Sequence, residues 1–403
     1  MAGFQSEGHS PDSNWTRYVA GNAATIDQPI GDSVDFLNRY QEDIERARDL
    51  GVSHFRYSVE WARTEPAPGE VDEEGFEFYD RLMESVRAAG MTPMISLDHW
   101  VYPGWVFDRG GWLCDEFVDL WMAHAERVVS RYAGTGVVWI TINEPSIYVD
   151  FEKRNRGLNR RQVATMRARL LEAHRRAYQM IKRRDPQSWA SSNISYMPAP
   201  LNVFDDRWFF DLAVDSMDFL GLDYYYSVSL DNMTAALDWI GRLWAIRAQP
   251  DGLLHALRLY HRKAPWLPVW IVENGISTDD GQPRKDGLTR SAHLLDHLYY
   301  LQRAVDEGIP VVGYNYWSLT DNYEWGSYRP RFGLYRVDVR DDPGLTRRPT
   351  DGVDTYRRVI AERGVPRGYR PVSRPAWGIL AAPWQTTIGR FFAPGPTHGR
   401  GVS

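Results

Sequence analysis

The chain has little cysteine: Cys114 is the only one among 403 residues. No intrachain disulfide can form, so a disulfide-stapled fold is excluded and a reducing compartment, the cytoplasm, is compatible. No apolar run approaches the ~18 residues of a membrane helix, and the mean hydropathy is -0.48. Membrane insertion is therefore not expected. Basic tracts are also missing, and the formal net charge is -6, which argues against a nucleic-acid partner. The opening residues lack the charged and apolar regions of a secretory signal, so the sequons at Asn14, Asn193 and Asn232 carry no expectation of glycosylation. There is no H-E-x-x-H, no C-x-x-C and no glycine-rich phosphate loop. Neither a metal nor an organic cofactor is expected.

Tryptophan is abundant, with 17 residues. Flat rings suit core packing and also cover the apolar faces of sugars. Eight short β-rich runs recur along the chain: Gly3 to Glu7 (weak), His54 to Trp61, Thr92 to Trp100, Val137 to Glu144, Trp189 to Tyr196, Met217 to Tyr225, Pro268 to Glu273 and Val311 to Ser318. Continuous apolar stretches such as Met94 to Leu97 suit strands covered on both faces. Between the runs lie amphipathic helical patterns. Phe76, Tyr79, Met83 and Val86 precede Gly90, Phe117 to Tyr132 precedes Gly134, and Arg160 to Arg184 and Ser291 to Glu307 follow the same spacing. Strand and helix alternating over eight units predict one α/β domain, a (β/α)8 TIM barrel over residues 1–370. Residues 371–403 turn rich in Pro, Gly and Arg and read as a tail, partly packed through Trp377 and Trp384.

In such a barrel the chemistry sits at the C-terminal ends of the strands. Buried polar groups there are costly without a use or a partner, and here they close nearly every run. Arg56 and Glu60 end the second, Asp98-His99-Trp100 the third, Asn143-Glu144 the fourth, Asp223-Tyr224-Tyr225 the sixth and Glu273-Asn274 the seventh. Tyr316-Trp317-Ser318 ends the eighth, with Asp321 to Trp325 beyond. Glu144 and Glu273 come from runs that face each other across an eight-stranded mouth. Two carboxyls so placed suit glycoside hydrolysis with retention, for which they stand about 5–5.5 Å apart. A lone strand-end Glu is more often an ion-pair partner, so spacing by itself leaves both readings open.

The wording of the motifs goes further. Thr141-Ile142-Asn143-Glu144-Pro145 resembles the T-x-N-E-P motif of family 1 glycoside hydrolases, the β-glucosidase family. Ile271 to Gly275 resembles that family's I-T-E-N-G, and Trp317 to Trp325 is similar to its W-S-L-x-D-N-F-E-W signature. Phe55 to Ser58, Trp61 to Arg63, His99-Trp100 with Pro103, Tyr224-Tyr225 and Arg331 to Gly333 match in the same order. The resemblance implies roles position by position. Glu144 is the expected general acid/base and Glu273 the expected nucleophile. Arg56 and Tyr225 support that nucleophile, and Asn143 contacts the sugar 2-hydroxyl. Gln5, His99, Glu324 and Trp325 clamp the other hydroxyls, and Trp317 floors the sugar subsite. The implied activity is retaining hydrolysis of terminal β-glucosyl, galactosyl or fucosyl residues from a small β-glycoside or short oligosaccharide. A transglycosylase of the same mechanism and a catalytically idle sugar-binding barrel are the alternatives. A homo-oligomer is compatible with the sequence.

The resemblance has departures. Gln5-Ser6-Glu7-Gly8 begins almost at Met1, where the family has a longer first strand, so either the true start lies upstream or the first strand is short and the seam against the last strand is weak. Asp223 stands where the family usually has Asn, and an added carboxylate there would push up the nucleophile's pKa unless it is paired. Glu60 is expected to pair with Arg63 or Arg56. Asp98 and Tyr226 receive no catalytic role.

Overall fold

The computed structural model describes residues 1–22, 26, 28–196, 206–226 and 242–375. Its centre is a parallel sheet of strands β1 (His54–Ser58), β2 (Thr92–Ser96), β3 (Val138–Asn143), β4 (Ala190–Ser195), β5 (Leu220–Asp223), β6 (Val269–Glu273) and β7 (Val311–Tyr314), paired in that order. The strands are largely buried, β3 at every position, as expected for a parallel sheet wrapped by helices. The sheet curls into the barrel, and β1 approaches β6 across the interior, where the His54 and Trp270 rings lie 4.8 Å apart.

The wrapping helices follow the apolar spacing read from the sequence. Helix Glu73–Ala88 starts at Asp72, whose carboxylate accepts from the amides of Glu74 and Gly75. Helix Phe117–Tyr132 turns Trp121, Ala125, Val128 and Val129 inward. Helix Arg160–Arg184 opens on a reciprocal cap between Asn159 and Gln162, and helix Arg290–Asp306 on Thr289.

The first predicted strand is the exception. Gly3–Ser6 is a helical turn, so seven of the eight predicted strands are present among the described residues. Side chains and backbone close this turn on itself: the Ser6 hydroxyl donates to the Ala2 carbonyl (2.6 Å) and the Glu7 amide to that of Gly3 (2.8 Å). The Gly3 amide donates to Ser58 Oγ at 2.8 Å. A Cβ here would meet Glu60 Cγ at 2.3 Å, so a larger residue would require the Glu60 side chain to move. Met1 alone pairs as a strand residue would: its amino group donates to the Arg56 carbonyl (2.5 Å) and its carbonyl accepts from the Ser58 amide (3.2 Å). Beside it a cleft of about 1390 Å³ runs between β1 and β7, and Val312 on β7 is 45% exposed.

Beyond the last helix, the tail begins by docking on Asp296 of helix Arg290–Asp306. Its carboxylate accepts from Tyr369 Oη (2.6 Å) and from the amides of Val372 (3.0 Å) and Ser373 (2.8 Å). Trp377 and Trp384 lie outside the described residues.

Candidate active site

The C-terminal ends of the strands surround a cleft of about 690 Å³, open to solvent at its mouth. Gln5, His99, Glu144, Tyr225, Glu273, Trp317, Glu324 and Trp325 all line it. Arg56 and Asn143 join it through Glu273 and Glu144. All ten residues singled out in the sequence are thus brought together from positions up to 320 residues apart.

Local backbone geometry presents the acids. Glu144 follows β3 in the left-handed region, at φ 36° and ψ 67°, and caps helix Pro145–Arg156. The following proline disfavours the α region for Glu144 and is itself suited to the first helical position. Register shifts occur in β3–β4 just before Asn143 pairs with Asn193, and in β5–β6 just before Asp223 pairs with Glu273. Such irregularities re-aim side chains at the rim of a barrel. Gly275 lets the chain after β6 pass close to the Trp317 carbonyl, where a Cβ would sit at 1.9 Å. The Trp317 amide donates to the Asn274 carbonyl at 2.8 Å.

Both oxygens of Glu273 are occupied. Arg56 Nη1 forms a short ion pair with Oε1, and Tyr225 Oη donates to Oε2 at 2.6 Å. Arg56 also donates to Asn143 Oδ1 (2.5 Å) and Ser96 Oγ (3.0 Å). Among the described residues no ion pair forms on Glu144. Its contact with Asn143 Nδ2 is long, at 3.5 Å. Burial, and then the Glu273 charge, push its pKa up to about 8. Oxygens of Glu144, Asp223 and Glu273 lie within 4.8 Å of one another. Burial, and then the neighbouring carboxylate charges, push both Glu144 and Asp223 toward the protonated form.

The opposite wall is built for polar contacts. Gln5 Nε2 donates to Glu324 Oε2 (3.1 Å) and to the Tyr323 carbonyl (2.9 Å). Trp317 Nε1 donates to Glu324 Oε1 at 2.9 Å. Burial drives the Glu324 pKa up to about 8 against these two donors. His99 stacks on Trp317 with centroids 5.9 Å apart, and burial followed by Arg56 pushes its pKa well below the ordinary imidazole range. Trp325 packs on Trp100.

Three residues given no role from the sequence belong to this arrangement. Asn193 Nδ2 donates to Asn143 Oδ1 (2.7 Å) and, in a short bond, to Asp223 Oδ2. Its signal was present as a polar residue near the end of the fifth run. Asp98 fixes the Trp100 backbone (2.7 Å) and accepts from Trp121 Nε1 (3.0 Å). Phe332 lines the cleft against Tyr225. Glu60 does not pair as expected. Arg63 bonds Glu7 at 2.8 Å instead, and Glu60 accepts from Ser58 Oγ at 2.9 Å.

The chain is similar to several known glycosidases and to a galactosyltransferase. The chloroplastic galactolipid galactosyltransferase SFR2 of Arabidopsis thaliana is 28% identical over 394 residues, covering 87% of this chain and 61% of its own, so the chain spans about three fifths of that relative. β-Glucosidase A of Thermotoga maritima is 27% identical over 412 residues, covering 86% and 91%. The solved Thermotoga maritima β-glucosidase in complex with methoxycarbonyl-substituted glucoimidazole superposes with TM-score 0.78 at 25% identity, over 91% of this chain and 97% of that one. A β-glycosidase from Pyrococcus horikoshii shares the fold at TM-score 0.77 and 23% identity, over 91% and 93%. The family model for glycosyl hydrolase family 1 matches residues 2–200 and 202–365. The chain therefore belongs to glycosyl hydrolase family 1 and is a glycoside hydrolase with a (β/α)8 barrel.

Proposed function

We propose that the chain is a retaining exo-β-glycosidase acting on terminal, unphosphorylated β-D-glucosyl, galactosyl or fucosyl residues. One observation carries this reading: Glu144 and Glu273 sit within 4.8 Å of each other in one cleft, one pushed up to about 8 and the other in an ion pair with Arg56. That separation suits a direct attack by one carboxylate rather than a water held between two.

Glu273 attacks the anomeric carbon while Glu144 gives its proton to the departing glycosidic oxygen. The bond to the aglycone breaks as the glycosyl ester forms. Esterification removes the Glu273 charge, which lets Glu144 ionise and take a proton from the incoming water. Water then releases the sugar with its configuration retained. Arg56 and Tyr225 hold the nucleophile, and Asn143 faces the 2-hydroxyl. Gln5, Glu324, His99 and Trp325 orient the remaining hydroxyls over the Trp317 ring. A protonated Glu324 both donates and accepts, which suits a sugar hydroxyl.

A panel of nitrophenyl glycosides with a 2-fluoro sugar trap tests the assignment. Mass spectrometry should place the adduct on Glu273, and Glu144→Ala should spare the first step on good leaving groups while azide restores the second. An adduct elsewhere, or equal loss on every aglycone, would overturn it. The likeness to a galactosyltransferase favours a second reading in which a sugar hydroxyl replaces water. Analysis of products at high acceptor concentration separates the two.

A further inference from the structure

Asp223 ends β5 with no exposed surface, and the catalytic reading above gives it no task. It faces Glu273 from β6, Glu144 from the end of β3, Arg56 from β1 and the Tyr225 hydroxyl from its own segment. The neighbouring β4 offers neutral side chains, Asn193 and, in register with Asp223, Ser195. Three carboxyls thus share one guanidinium, and that guanidinium already serves Glu273, Asn143 and Ser96. Among the described residues no cation lies in ion-pair range of Asp223, and its Oδ1 has no hydrogen-bond partner. Its Oδ2 accepts from Asn193 Nδ2, the group that also donates to Asn143 Oδ1 at 2.7 Å. With both hydrogens of the Asn193 amide committed, Asn143 Oδ1 is held toward Asn193 and Arg56. Asn143 Nδ2 is thereby turned toward Glu144.

We propose that Asp223 is a positioning residue that works as a neutral carboxylic acid, keeping its proton through both steps while it fixes Asn143 through Asn193. In the resting site, protons on Asp223 and Glu144 leave Glu273 as the only charged member of the three. In the glycosyl-enzyme the Glu144 proton has left with the aglycone, Glu273 is an ester, and Asp223 is unchanged. Each state then holds one negative charge beside Arg56, so the buried cluster never carries two. Burial acts on Asp223 in the direction of the protonated form in both states, joined by the Glu273 charge in the resting site and by the Glu144 charge in the glycosyl-enzyme.

The proposal rests on the retaining reading, and the two fail separately. The 2-fluoro adduct on Glu273 tests that reading in every variant. For Asp223 the comparison is Asp223→Ala with Asp223→Asn, whose carboxamide keeps an acceptor for Asn193 without an ionisable proton. Ala should lower kcat/KM by about 10-fold or more, and Asn should recover most of it with the acidic limb of the pH profile within about 0.3 of the parent. Infrared difference spectra between parent and Asp223→Asn at neutral pH should show loss of a protonated-carboxyl C=O band. If Asp223→Ala does not fold, the profile and spectrum of the Asn variant decide alone. An acidic limb displaced by a full pH unit, or loss of a carboxylate band in place of the C=O band, would mean that Asp223 is charged and the proposal is wrong.

Discussion

Removing the charge of Glu273 should lower the pKa of Glu144, by an amount that the geometry sets. The two carboxyls approach within 4.8 Å, and at an effective dielectric of about 20 that separation corresponds to roughly 3.5 kcal/mol of repulsion. At 1.36 kcal/mol per unit this is about 2.5 pKa units. Burial is the larger cause of the shift to about 8 and persists in the glycosyl-enzyme, so Glu144 should settle between its present value and the ordinary carboxyl range, about two units lower. The perturbation is either Glu273→Gln or the 2-fluoro ester. The assay is carbon NMR of side-chain-labelled glutamate, with the Glu144 signal assigned by Glu144→Gln. A midpoint within 0.5 unit of the free enzyme would refute the reasoning, because the neighbouring charge would then contribute nothing. The same logic places the alkaline limb of kcat/KM near pH 8 in the free enzyme.

Other expectations follow from the same arrangement. Arg56→Gln leaves Glu273 buried without its cation and should cost about 3–5 kcal/mol of stability, read by urea unfolding; a loss below about 1 kcal/mol would show that the pair is not coupled. Glu60, Glu144 and Glu324 are each pushed up to about 8, while burial pushes His124 and His174 down to about 3 and His297 to about 4. The histidines offset the glutamates below the ordinary imidazole value of about 6.5, so the folded state binds more protons than the unfolded one chiefly between about pH 6.5 and 8. Stability should therefore fall as pH rises through that window, with Glu324→Gln flattening the curve. The Met1 ammonium, pushed down to about 5 by burial and Arg56, acts the other way over part of the range. Stability that rose steadily from about pH 6.5 to 8 would contradict this balance. Finally, amides of β1 and β7 should exchange faster than those of β3 and β4, because among the described residues these two strands are the ends of the sheet and are not paired with each other; equal protection would show that the seam is as firm as the rest.

Much of this molecule is written locally. The apolar spacing of Phe76, Tyr79, Met83 and Val86, and the caps at Asp72, Asn159 and Thr289, determine helices whatever lies around them, because the periodicity and the cap chemistry are properties of a dozen neighbouring residues. The same holds for the motif around Glu144, where Pro145 restricts the backbone of the residue that must be presented. The family resemblance supplied the ten residues that meet in the cleft. Local pattern could not decide the fate of residues 3–6. Their sequence allows a strand, yet the Ser58 hydroxyl, the crowding of Glu60 and the turn's own hydrogen bonds give a helix, and those partners come from 50 or more residues away. Nor could it reveal the placement of Asn193 and Asp223, since a polar residue near a strand end gains a role only from what the adjacent strands set beside it. Protonation is the last thing the tertiary structure decides. Glu144 and Glu273 are the same side chain, and only the dry interior, one guanidinium and a distance of under 5 Å make one of them an acid and the other its charged counterpart.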